Sequence, residues 1–236
     1  MNKKAIAVTG GTKGIGRAII EKFASQGFNI ITCSRNLDEL ETLKSTIESK
    51  YTSVTVHISK ADLSKKQETE KFAAFVNQQA EIVEVLVNNT GTFIPGQIHN
   101  EDEGNLELMM ETNLYSAYHL TRGVIPSMMK RKSGTIFNIC SVASIMAYPN
   151  GGSYSISKYA MYGMTKCLRE EMKEHGIRVT AILPGATLTA SWDGVDLPAD
   201  RFGKPEDVAD SIWSTYSMSP NSVVEEIVIR PQLGDL

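Results

Sequence analysis

Short apolar, β-branched runs alternate with longer amphipathic ones along nearly the whole chain, and this alternation restricts the fold more than any other feature. "KKAIAVTG", "FNIITCS", "SVTVHIS", "VEVLVN", "GTIFNICS", "IRVTAILPG" and "VVEEIVIRP" read as seven strands. Between them lie "GRAIIEKFASQG", "LDELETLKSTIESK", "KKQETEKFAAFVNQQ", a helical stretch over 102–131 interrupted near Thr112–Asn113 and stopped around Gly134, "SYSISKYAMYGMTKCLREEMKEHG", and "PEDVADSIWSTY" with a proline in its first turn. Strands that are apolar throughout need cover on both faces, and helical connections between them imply parallel pairing. Right-handed crossovers then give an α/β fold: a Rossmann-type, doubly wound, parallel sheet of seven strands with helices on both faces. The 236 residues suit one such domain, 1–236. Residues 187–203, "TLTASWDGVDLPADRFG", form the one long irregular stretch. Loops of that length are uncommon unless functional, and Gly194, Gly203 and Trp192 within it lead us to expect a substrate lid.

Composition excludes several other classes. The net charge is −3 and no basic block stands out, which argues against a nucleic-acid surface. The apolar run behind "MNKK" is too short for a signal peptide, and no segment has the length of a membrane span, so no membrane association and a cytoplasmic location are expected. Cys33, Cys140 and Cys167 are far apart and odd in number. They read as small buried residues in a reducing compartment, with no metal site.

"VTGGTKGIG" joins the first strand to the first helix. In such a turn one glycine makes the bend, one lets the backbone approach a pyrophosphate, and one lets helix and strand pack closely. The N–H groups and dipole at the helix start favour phosphate. In a sheet of this kind the ligand lies beyond the carboxyl ends of the strands. Those ends ("CSRN", "ADL", "NNTG", "CSVAS", "PGATLT") are all polar, small or glycine-bearing, which fits one shared site.

Taken together, the chain resembles the short-chain dehydrogenase/reductase family. The likeness rests on Thr9-Gly10-x-x-x-Gly14-x-Gly16, Asp62, "NNTG" at 88–91, Asn113, Ser141 followed by Tyr154 and Lys158, and "PG" at 184–185. It runs to about residue 215. Thr90 stands where the family usually has alanine, and the ending "VVEEIVIRPQLGDL" lacks the glycine-rich close of the family's ketoacyl-carrier-protein reductases. The resemblance implies a hydride transfer between a nicotinamide cofactor and a carbonyl/alcohol pair. Tyr154 is then the general acid/base. Lys158, one helical turn on, lowers the Tyr154 pKa and binds the nicotinamide ribose. Ser141 polarises the carbonyl, with Ser144 a rival for the role, and Asn113 holds a water in a proton relay. Ser155 and Ser157 read as helix-surface or packing residues.

The resemblance also implies the cofactor contacts. Gly10, Thr12, Lys13, Gly14, Ile15 and Gly16 cradle the pyrophosphate. Asp62 and Leu63 meet the adenine, Asn89 and Gly91 the adenosine ribose side, and Pro184, Gly185, Thr187 and Thr189 the carboxamide end. Asn88 braces the sheet. Selectivity for NAD usually needs an acidic residue at the end of the second strand. Here Ser34 takes that place and Arg35 follows, with Lys13 near by, so NADP(H) is expected in preference to NAD(H). Phe93, Ile94, Ile145, Met146, Tyr148, Leu188 and Trp192 imply an apolar or amphipathic carbonyl/alcohol substrate. Ala117, Ala160, Met161 and Met164 are expected to pack across a two-fold axis in a homodimer or homotetramer. Three other readings remain open: a 3-oxoacyl-carrier-protein reductase using "KRK" at 130–132 and His175, a cofactor-binding regulator without turnover, and a sugar-nucleotide epimerase or dehydratase.

Overall fold

The protein is seen in a computed structural model that describes residues 4–189, 194 and 196–235. Seven strands, β1 (Ala5–Thr9), β2 (Asn29–Ser34), β3 (Val56–Lys60), β4 (Val83–Asn88), β5 (Gly134–Ile139), β6 (Ile177–Pro184) and β7 (Glu226–Ile229), form one sheet. Its order is β3-β2-β1-β4-β5-β6-β7 and every pairing is parallel. The chain winds outward from β1 to β3, then returns to β4 on the other side of β1. The connections therefore diverge between β1 and β4, and a crevice opens at the carboxyl ends of those two strands.

Apolar residues along each strand point alternately to two cores. On one face, α1 (Gly14–Ser25), α2 (Leu37–Lys50) and α7 (Pro205–Tyr216) cover Ile6, Val8, Ile30 and Val87 with Ile19, Ile20, Phe23, Leu43, Ile47 and Ile212. On the other, α3 (Lys66–Gln79) and α5 (Ser116–Arg131) cover Ala7, Ile31, Leu86 and Ile136 with Phe72, Val76, Leu120, Val124 and Met128. All eight of these strand residues have no exposed surface, which is why their segments read as continuous apolar runs. α6 (Gly152–Met172) packs against β6 and carries Tyr154 and Lys158.

The stretch expected as one interrupted helix over 102–131 starts later. Gly104, at φ 89°, precedes α4 (Asn105–Met110). A π-helical turn, Glu111–Tyr115, links α4 to α5 without breaking the rod. Lys132, in the left-handed region at φ 52°, ends α5 before Gly134, which opens β5.

Part of the expected lid, residues 190–193 and 195 including Trp192, lies outside the described residues. The ends of the segment are pinned to each other: Leu188 N–H donates to the Gly203 carbonyl at 2.9 Å, and Gly203 N–H to that of Ala186 at 2.9 Å. One cysteine departs from expectation. Cys33 and Cys140 are buried, but Cys167 is exposed. It falls on the side of α6 away from the inward-facing Thr165 and Arg169.

Candidate active site

A cavity of about 1010 Å³ occupies the crevice. Gly10, Thr12, Lys13, Gly14, Ile15, Ser34, Arg35, Asp62, Leu63, Asn89, Gly91, Ser141, Tyr154, Lys158, Pro184, Gly185, Thr187 and Thr189 all line it, while Gly16 and Asn113 stand behind its wall. The glycine turn is shaped for close approach. Gly10 and Gly14 sit at φ 65° and 54°, where side chains are disfavoured, and a Cβ on Gly16 would collide with the Gly10 carbonyl oxygen. Asn89 holds the turn in place, donating to the carbonyls of Thr9 at 2.8 Å and Gly10 at 3.2 Å. The Thr9 hydroxyl receives the N–H groups of Asn89 and Thr90. A narrow glycine cradle at the start of a twelve-residue helix, opening on a cavity of this size, fits a dinucleotide pyrophosphate.

At one end of the cavity Tyr154 and Ser141 line the wall together, with the Ser141 hydroxyl placed to favour the phenolate form of Tyr154. Ser141 also caps the short 3₁₀ turn Val142–Ser144, accepting from Ala143 N–H at 3.1 Å, and its own N–H donates to the Ser144 hydroxyl at 3.2 Å. Ser144 is wholly buried and serves that turn, which leaves Ser141 as the serine facing the cavity. The Phe93 ring packs edge-on against Tyr154, centroids 4.9 Å apart, and fixes its tilt.

Lys158 Nζ is buried, donates to the Ile139 carbonyl at 2.9 Å and lies 5.7 Å from the Tyr154 ring centre. Burial, the dominant effect, pushes the Lys158 ammonium below the usual lysine value. The expectation that Lys158 holds Tyr154 below its ordinary value is not met in this structure. Loss of hydration of the phenolate dominates and raises the Tyr154 pKa, against the opposing effect of the Ser141 hydroxyl. The lysine is itself disfavoured as a cation here and is directed at Ile139, so it offsets little of that cost.

Asn113 sits at the centre of the π turn. Its side chain pairs with the backbone of Thr92, accepting from the N–H at 2.7 Å and donating to the carbonyl at 3.0 Å. Its Nδ2 also donates to the Ser157 hydroxyl at 2.8 Å, which in turn donates to the Tyr154 carbonyl at 2.7 Å. Ser157 is therefore the link between Asn113 and the tyrosine's own backbone rather than a plain packing residue. Gly91 lies against Asn113 and Lys158, nearer the catalytic end than the adenosine side. Asn88 braces the sheet by donating to Thr121 and Asn138.

At the other end, Ser34 makes a local turn with Asn36, and Arg35 is exposed beside the cavity. Burial works against ionisation of Asp62. Two hydrogen bonds from Ser64, then Lys65 and Arg35, outweigh it and hold the carboxyl below its usual value. Lys13 is not free: its Nζ lies 2.7 Å from Glu39, which also accepts from the Thr12 hydroxyl at 3.1 Å. Sequence reasoning missed Glu39, which reads simply as an acidic residue in the first turn of α2. Among the expected substrate-side residues, Phe93, Met146 and Tyr148 line the cavity. Ile94, Ile145 and Leu188 do not, since the latter two are exposed and Ile94 faces a shallow neighbouring depression.

Comparison with known proteins gives the family. The family model for short chain dehydrogenases matches residues 4–197. The sepiapterin reductase of Chlorobaculum tepidum is 30% identical over 242 residues, covering 99% of this chain and 98% of that one. Among solved structures, a metagenomic short-chain oxidoreductase in complex with NADP is 28% identical, covers 98% and 97% of the two chains, and superposes with a TM-score of 0.82. L-sorbose reductase from Gluconobacter frateurii, complexed with NADPH and L-sorbose, is 25% identical over 98% and 96%, with a TM-score of 0.88. The strand order, the glycine turn and the Ser141, Tyr154 and Lys158 grouping accord with these matches, and the chain belongs to the short-chain dehydrogenase family of oxidoreductases.

Proposed function

We propose that the protein is an NADP(H)-dependent oxidoreductase that interconverts a carbonyl and an alcohol, with Tyr154 as general acid/base. The observation that carries this is the convergence of Ser141, Tyr154 and Lys158 on one cavity, the last two one helical turn apart on α6. NADPH, held by the glycine turn Gly10–Gly16 and by Arg35, Asp62 and Lys158 along the cavity, would supply the hydride when bound. The Tyr154 phenol, kept protonated by its burial, gives its proton to the carbonyl oxygen. The Ser141 hydroxyl donates to the same oxygen as negative charge develops there. Lys158 is held by the Ile139 carbonyl with its Nζ beside the Tyr154 ring, and Asn113 and Ser157 hold this part of α6 in register.

Three features support NADP(H) over NAD(H): no carboxylate ends β2, Arg35 is exposed at the cavity rim, and NADP or NADPH is bound in the two related structures. The test is Tyr154→Phe assayed by NADPH absorbance. Loss of the general acid is expected to lower kcat by about 10²–10⁴-fold, with the NADPH Kd within about threefold of wild type. A Phe variant keeping more than about a tenth of wild-type kcat overturns the assignment.

A further inference from the structure

After β7 the chain folds back over the cavity and is held there by two arginines. Arg201 donates to the carbonyls of Gly234 and Asp235, each at 3.1 Å. Arg230 donates to Asp235 Oδ2 at 2.6 Å and, through its other terminal nitrogen, reaches Met146 Sδ at 3.5 Å. Asp235 thereby becomes part of the cavity wall. Its second oxygen, Oδ1, is buried and has no hydrogen-bond partner among the described residues. That atom lies 3.0 Å from where a Cβ on Gly185 would stand, at the carboxyl end of β6. It is therefore at the Tyr154 end of the cavity and far from Arg35 and Asp62. Buried acceptors are almost always satisfied, and one left without a partner in a binding cavity marks a place for a donor.

We propose that Asp235 is a specificity-determining residue whose Oδ1 accepts a hydrogen bond from the substrate. The substrate class is then a carbonyl compound bearing a neutral donor, a hydroxyl or N–H, at a distance from the reacting carbon. This rests on the carbonyl-reductase reading and narrows the apolar or amphipathic substrate expected from the sequence. The charge of the carboxylate is already met by Arg230 through Oδ2, so an ammonium would add an unmatched cation. A carboxylate or phosphate would set lone pairs against lone pairs. An alkyl ketone would bury Oδ1 without a partner, and sites built to bond a hydroxyl discriminate strongly against analogues lacking it.

The experiment uses the full chain with NADPH and a series of ω-hydroxy-2-alkanones, each against the 2-alkanone with methyl in place of the hydroxyl. In the wild type, the best hydroxy ketone should exceed its methyl counterpart in kcat/KM by at least about tenfold. In Asp235→Asn the amide oxygen turns to Arg230 and the NH2 to the cavity, so shape is kept and the acceptor is lost. In that variant and in Asp235→Ala the ratio should fall to near one, mainly through KM. Melting temperatures identify any variant that fails to fold, and the near-isosteric Asn variant guards against that outcome. A ratio unchanged in both variants overturns the proposal. So does an unchanged ratio with weakened NADPH binding, which would give Oδ1 to the cofactor. A second arm does not depend on turnover: hydroxy-ketone binding to the Tyr154→Phe variant, read by NADPH fluorescence, should weaken by about tenfold when Asp235→Asn is added. If the wild type reduces no ketone in the series, this binding arm still decides for or against Asp235.

Discussion

The cation Lys13 is held by Glu39 at 2.7 Å, so the adenosine end of the cavity does not carry the simple positive charge that the sequence implied. A 2′-phosphate there would compete with Glu39 for Lys13, whereas Arg35 makes no ion pair within 4 Å among the described residues. Arg35 should therefore carry most of the preference. The wild type is expected to show at least about tenfold higher kcat/KM with NADPH than with NADH, and Ser34→Asp with Arg35→Ala to reverse that order. Glu39→Gln should raise the NADPH preference further; equal kinetics with both cofactors in the wild type would refute the assignment. The raised Tyr154 pKa gives a pH signature. Reduction uses the protonated phenol, which is present below its pKa and lost as pH rises through it. Since the folded value is raised above about 10, kcat/KM for NADPH in reduction should stay flat from about pH 6 to about pH 9 and fall only beyond. A break near neutrality would contradict this. At this scale the motif residues were legible because their spacing is fixed along one helix or one turn. Glu39, Ser157 and Asp235 were not, because each acts through a partner distant in sequence: Lys13 for Glu39, Asn113 for Ser157, Arg201 for Asp235.

Among the elements, α6 places the catalytic pair, and its start is set from outside the helix. The Glu101 carboxylate accepts from the hydroxyl and N–H of Ser153, one residue before Tyr154. The N-cap residue of the helix, Gly151, has no side chain to do this. Glu101→Gln weakens a charged cap and should cost about 1 kcal/mol, a fall in Tm of about 2–4 °C for a chain of this size by calorimetry. An unchanged Tm would show the cap to be redundant. The strands and most helices were legible because apolar periodicity records which faces are covered. The π turn was not. Glu111–Tyr115 contains neither glycine nor proline, so the polar pair Thr112–Asn113 looked like a break. The extra residue instead widens the helix and turns Asn113 inward to Thr92 and Ser157, where its hydrogen bonds offset the irregularity.

For the molecule as a whole, two of the four residues expected at a two-fold contact, Ala117 and Met161, are turned inward, while Ala160 and Met164 are partly exposed. Ala117 and Met161 are 3% and 2% exposed and pack with Cys140, Ala181 and Leu183 inside the chain. Tyr115 and Tyr118, at 47% and 41%, and Ile156 and Tyr159, at 40% and 46%, are the side chains that α5 with its π turn and α6 present outward. Periodicity finds a helix's apolar stripe but does not say which of two stripes meets its own sheet. We propose that this outer pair of stripes forms a dimer or tetramer contact. Light scattering should give two or four times the chain's 25.9 kDa, and Tyr159→Glu should halve the mass or more; a monomeric wild type would refute it. Ile156, Tyr159, Gly163 and Cys167 follow one another at helical spacing along α6. The exposed thiol of Cys167 therefore lies on the stripe that self-association would cover. The other two thiols are buried and pushed up to about 12 and about 11, hence slow toward electrophiles. A thiol-reactive dye added over a dilution series would thus read out assembly by the extent of labelling, with no tag or mutation introduced.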